Sequence, residues 1–122
     1  MSKMLPLSRT STLALRQRRA HLVRAFALPP DLLHASVVER FVKCGKANCR
    51  CRDGPKHGPF FYLSRCFGAG QVQALLLKSS AQIDQARQGV DAYAQALAVL
   101  DEVSQINREL LRRGEPLAEP AA

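Results

Sequence analysis

The stretch Phe60-Phe61-Tyr62-Leu63-Ser64-Arg65-Cys66-Phe67, followed by Gly68-Ala69-Gly70 and then by Val72-Gln73-Ala74-Leu75-Leu76-Leu77, decides the fold class. It reads as two strands joined at a glycine turn, a hairpin signal. Upstream, Ser36-Val37-Val38-Glu39-Arg40-Phe41-Val42-Lys43 is rich in β-branched residues and roughly alternating, so it predicts a further strand. The three together predict a small antiparallel sheet. Alternation along the middle strand puts Phe60 and Tyr62 on one face and Phe61 on the other, so at least one face belongs to a core.

Helical patterns flank the sheet. Ser8, Thr10, Ser11 and Thr12 offer capping oxygens after Pro6, and Leu13–Leu28 reads as a helix that Pro29-Pro30 stops. Leu15, Leu22, Val23 and Phe26 share one stripe, while Arg16, Arg18, Arg19 and Arg24 lie elsewhere. After the hairpin, Ser79 and Gln82 form a capping box, and Gly114 and Pro116 mark a helix end preceded by Arg108, Arg112 and Arg113. A helix over residues 80–113 would be about 50 Å long. Ile83, Ala86, Val90, Tyr93, Leu97 and Leu100 step along it as a heptad seam, which Val103, Ile106 and Leu110 resume one residue out of phase. Gly89 weakens its middle slightly.

The expected fold is therefore α+β: a basic N-terminal arm and helix (1–30), a small β domain with a cysteine-histidine loop (31–78), a long helix (79–114) and a disordered tail (115–122). So long a helix cannot rest its whole seam on so small a sheet. It packs on the first helix in the same chain, forms a homodimer through residues 83–110, or does both, and the sequence leaves these open.

A length of 122 residues fits one small domain, and 47% hydrophobic with 23% charged residues is globular composition. No apolar run approaches the roughly 18 residues of a membrane span. So short a chain also argues against a deep-clefted enzyme. Charge is the unusual quantity, with 18 Lys+Arg against 10 Asp+Glu. Residues 1–70 hold 13 basic and 3 acidic side chains, whereas residues 71–122 hold 5 and 7. That asymmetry points the first part at an anionic partner, with nucleic acid the default. The Arg-rich, acid-free Met1–Leu28 also resembles a transit peptide in composition, but a basic helix of a cytosolic protein explains the same composition and is the favoured reading.

Between the first two strands, Cys44-Gly45-Lys46-Ala47-Asn48-Cys49-Arg50-Cys51 is followed by Asp53-Gly54-Pro55-Lys56-His57-Gly58-Pro59. Cys44, Cys49, Cys51 and His57 supply three thiolates and an imidazole, a donor set suited to tetrahedral structural Zn²⁺. The spacing departs from the commonest knuckles: C-x4-C is long and C-x-C is tight. Cys66 in the second strand is a rival to His57 as fourth ligand. Disulfides and free redox thiols are competing readings, but no secretory segment and no βαβ context accompany the cysteines. Asp53 is the one acid in the loop and nothing marks it as a general base, so a structural ion is expected and no catalysis.

Lys43, Lys46, Arg50, Arg52 and Lys56 are interleaved with these ligands, and Arg65 follows the aromatic run. Cations beside rings suit nucleic acid, since phosphates meet the cations and unpaired bases stack on rings. Arg16, Arg18 and Arg19 extend the candidate phosphate-binding set to the first helix.

At this loop the chain resembles an uncharacterised prokaryotic family with the signature C-G-K-x-N-C-x-C, then H-G-P and aromatics, matched here by Cys44–Cys51 and by His57–Ser64. The resemblance runs over roughly residues 12–113, including a basic helix ending in Leu-Pro-Pro and the closing Ile106-Asn107-Arg108-Glu109-Leu110-Leu111. It implies a prokaryotic setting, in some cases beside transposase-like genes, and no established activity. The chain departs from the family at Gln71, where a Lys is usual, and at Leu77, where a Pro is usual. The resulting expectation is a cytoplasmic, non-enzymatic nucleic-acid-binding protein with a structural Zn²⁺ loop, accessory to a mobile element, with no membrane partner and no small-molecule substrate. The alternative is a coiled-coil interaction module whose charge serves solubility.

Overall fold

The computed structural model describes residues 7–43, 45–46, 48–50 and 54–118. The fold is α+β, with the order α1 (Thr12–Ala25), β1 (Ser36–Val42), β2 (His57–Cys66), β3 (Val72–Leu77) and α2 (Ser80–Arg112). A short 3₁₀ turn, Leu7–Arg9, precedes α1. The three strands form an antiparallel sheet with β2 in the middle. No helix among the described residues is long and apolar enough to cross a membrane.

Local chemistry sets the element ends. The Ser11 hydroxyl accepts the Ala14 amide and caps α1. The helix stops at Ala25, short of the expected Leu28, and Phe26 is already extended at its C-cap. A residue before proline avoids the helical region, so the chain leaves the helix ahead of Pro29-Pro30. At the start of α2 the Ser79 hydroxyl accepts the Gln82 amide, while the Gln82 side chain accepts from the Lys78 amide one residue earlier than a standard capping box. At its end Gly114 takes φ +75°, and the Gly114 and Glu115 amides donate to the Leu111 and Leu110 carbonyls. This is the paired-bond C-cap that a left-handed glycine permits.

The chain divides into two compact units: residues up to Leu28 with those from Gln95 onward, and Pro29–Ala94. The long helix is thus no separate segment, because each unit takes one half of it. In the first unit Leu15 and Leu22 of α1 pack on Ile106 and Leu110 of α2, with Leu7, Val99 and Val103 around them. Leu15, Ile106 and Leu110 are almost wholly buried, each stabilising the fold by about 1.5–3 kcal/mol.

Three expectations change here. The seam moves off the strict heptad earlier than the sequence suggests: Ala96 is buried, whereas Leu97 and Leu100 are 46% and 57% exposed. Val23 is exposed too, and the buried stripe of α1 runs Leu15, Arg19, Leu22. The start of the expected disordered tail is bonded down, since the Pro116 and Leu117 carbonyls accept from Arg16 and Arg19.

In the second unit, β2 alternates between two environments. Phe61 faces α2, with the Arg87 guanidinium 5.6 Å from its ring centre, and Leu77 beside it in the ladder is buried. Leu63 and Leu75, the next rung on that face, line a groove of about 600 Å³ with Leu33 and Ala86. The 31–35 segment crosses α2 at Gly89, where a Cβ would lie 2.5 Å from the Asp31 carbonyl oxygen. His34 stacks on Tyr93 at 4.5 Å between centroids.

Candidate metal and nucleic-acid site

The β1–β2 ladder delivers both ends of the cysteine-histidine loop to one place. Val42 pairs with His57, and between this rung and the Arg40–Phe60 rung the single residue Phe41 faces the two residues Gly58 and Pro59. This is a bulge of the two-against-one kind. Gly58 fits it because its φ is +144° and a Cβ there would sit 2.8 Å from the Phe41 ring and 2.9 Å from the Arg40 carbonyl oxygen.

Within the loop, the Cys49 amide donates to the Lys46 carbonyl, and Cys49 Sγ stands 2.8 Å from His57 Nε2. Two of the four candidate ligands are therefore adjacent, one half-buried and one exposed. Cys44 and Cys51 lie outside the described residues, and among the described ones no group of three or more metal-ligating side chains occurs. Cys66 is a different matter. It closes the far end of β2, nine residues from His57, or roughly 30 Å along an extended strand, so it stands too far from Cys49, which adjoins His57, to take the place of His57.

The basic candidates separate into two groups. Lys43, Lys46, Arg50 and Lys56 are all exposed, and no carboxylate among the described residues pairs with any of them. Arg52 lies outside the described residues. Arg65 is exposed as well, but it stands near the opposite end of β2, on the side facing α2, with its guanidinium 4.4 Å from the Phe67 ring centre. It is not part of the loop cluster.

Arg16, Arg18 and Arg19 each bond within the chain. Arg18 forks onto both oxygens of Glu102 at 2.6 and 3.0 Å. Hydrogen bonding to Arg18 holds the Glu102 carboxyl below its ordinary pKa, and Glu102 raises the Arg18 guanidinium in turn. Arg19 is buried and donates to Asn107 Oδ1 and the Leu117 carbonyl, each at 2.8 Å. Arg16 donates to the Pro116 carbonyl and approaches Glu115 at 3.7 Å. Arg113 makes the same kind of tie, donating to the Leu7 and Thr10 carbonyls and to Glu109. Hydrogen bonds from Arg112 and then Arg113 draw the Glu109 pKa down to about 2.

Sequence reasoning missed one residue beside this site. Arg40 is exposed on β1, and its guanidinium lies 5.4 Å from the Tyr62 ring centre. The signal was present in the alternation, since Arg40 falls two residues after Val38 on the same face.

Residues 12–68 match a family described as a domain of unknown function, DUF6788. That span contains α1, β1, the loop and nearly all of β2. No curated protein and no solved structure matches the chain. Over those residues, the chain is similar to a family that carries no assigned activity.

Proposed function

We propose that the protein binds nucleic acid without catalysing a reaction, through the exposed cations of the β1–β2 loop, and that Zn²⁺ holds this loop. One observation carries the reading: Lys43, Lys46, Arg50 and Lys56 share the β1–β2 loop, exposed and without carboxylate partners among the described residues, while Arg16, Arg18 and Arg19 of α1 are bonded internally. Cations on one loop with no carboxylate partner among the described residues suit a polyanion, which releases counterions when they meet its phosphates. The adjacency of Cys49 and His57 supports the metal. Cys44 and Cys51 complete the donor set, and the ion would supply cross-linking of a loop with little apolar surface of its own. Accessory action to a mobile element in the cytoplasm stays within this proposal.

The test is a gel-shift series with random duplex and single strands at increasing salt. Retarded mobility that fades as salt rises is expected. Unchanged mobility at the lowest salt sinks the reading.

A second reading has its own observation. Leu97 and Leu100 are exposed on α2 one turn apart, and a second copy of the helix would cover them. Light scattering of the wild type and of the Leu97→Gln/Leu100→Gln variant separates the two: a monomeric mass for both removes self-association.

A further inference from the structure

The sheet has two unlike faces. Phe61, Leu63 and Leu77 belong to the face that meets α2. Phe60 and Tyr62 stand on the other, two residues apart on the central strand. Arg40 lies opposite Phe60, and Val38 and Leu76 lie on either side of Tyr62. Phe60 is 36% and Leu76 39% exposed, Tyr62 is half-buried, and exposed Arg40 holds its guanidinium over the Tyr62 ring, 5.4 Å from its centre. The next row, Ser36, Ser64 and Ala74, is small, and none of these residues is acidic. The result is a shallow floor carrying two rings and one guanidinium. Its Arg40–Phe60 rung adjoins the Val42–His57 rung, from which the loop with Lys43, Lys46 and Lys56 emerges.

Geometry selects the form of nucleic acid. Same-face neighbours on a strand are about 6.7 Å apart, twice the 3.4 Å rise between bases on one strand of a duplex. Successive bases can lie on both rings only if their strand is stretched and unpaired; a duplex presents no base faces to a flat sheet.

We propose that the Phe60–Tyr62 face binds single-stranded nucleic acid, two neighbouring bases stacking on the rings while the phosphates run past Arg40 to the loop cations. This rests on the nucleic-acid reading above and names its ligand.

The test uses fluorescence anisotropy of the full chain with a labelled DNA strand of about 20 nucleotides, the same strand annealed to its complement, and the RNA of the same sequence. Both single strands bind tighter than the duplex, and Phe60→Leu and Tyr62→Leu each weaken single-strand binding about tenfold while leaving duplex binding unchanged. Leucine keeps apolar area but removes the stacking surface. A readout independent of those variants is available, because the chain has two tyrosines and no tryptophan. With Tyr93→Phe, emission from Tyr62 alone reports stacking and is quenched as the DNA strand is added. Duplex binding equal to single-strand binding, together with unquenched Tyr62, overturns the stacking site and leaves the phosphate reading standing. Absence of any binding at low salt removes both this proposal and the reading beneath it.

Discussion

The Leu33 amide donates to the Gly89 carbonyl at 3.0 Å, so a loop backbone and a helix backbone are direct neighbours in the sheet-containing unit. A Cβ at position 89 would fall 2.5 Å from the Asp31 carbonyl oxygen and 2.8 Å from a Leu33 methyl. In an exposed helix interior, Gly→Ala stabilises by about 1 kcal/mol. At Gly89 the sign reverses. Gly89→Ala should destabilise by about 1–3 kcal/mol, because backbone cannot yield as a flexible side chain does. A thermal melt should show a midpoint lower by roughly 5 °C or more; a higher midpoint contradicts the close approach.

Stability should fall on acidification through carboxylates held by arginines. The folded pKa of Glu109 is about 2, below its ordinary 4.5, and that of Glu102 is lowered in the same direction by Arg18. A depressed pKa contributes stability above the unfolded value, and that contribution is lost as pH drops through the folded value. For Glu109 the window is therefore about pH 4.5 to 2. Urea midpoints measured across this range should decline in the wild type and decline less steeply in Glu109→Gln. Parallel profiles would show that the Arg112 and Arg113 bonds do not act this way.

Arginines of α1 and lysines of the loop should separate by phenotype. Arg19→Ala leaves Asn107 Oδ1 and the Leu117 carbonyl short of a donor, costing about 1–3 kcal/mol of stability, with the salt slope of oligonucleotide binding unchanged. Lys46→Ala and Lys56→Ala should leave stability within about 0.5 kcal/mol and each lower that slope by about 1. Equal effects on the slope from both groups contradict the division.

Metal content distinguishes the cysteines. Elemental analysis of protein purified without chelator should find about one zinc per chain. Cys49→Ser and His57→Ala should lose it, and Cys66→Ser should keep it. Wild-type protein free of zinc, with thiols open to alkylation, refutes the metal loop.

What the sequence made legible was local. The hairpin turn is written in Gly68 and Gly70, both at positive φ, and the α2 caps in Ser79, Gln82 and Gly114. Each depends on residues within five positions, where propensity and hydrogen bonding act directly. The adjacency of Cys49 and His57 was legible for the same reason, being eight residues apart in a glycine-rich loop. The partners of Arg16, Arg18 and Arg19 were not, since they stand 84 to 100 residues away. An arginine on a basic helix looks identical whether it meets phosphate or Glu102. Arg19 alone left a trace, falling between Leu15 and Leu22 on the buried stripe. Leu97 and Leu100 fit a strict heptad in the sequence, yet burial passes through Ala96 and Val99. An undistorted α-helix drifts from a seven-residue repeat, so the row buried within one chain shifts along it.

The third strand has a consequence for handling the protein. Val72-Gln73-Ala74-Leu75-Leu76-Leu77 is an edge strand with no charged residue, and Val72, Leu75 and Leu76 are exposed. Such an edge is a template for strand addition between molecules, and Lys78, immediately past its end, is the nearest gatekeeper. Concentrated or heat-stressed preparations should therefore precipitate through this hexapeptide before any other described segment. A lysine at position 73 would add colloidal protection while leaving the Phe60–Tyr62 face untouched.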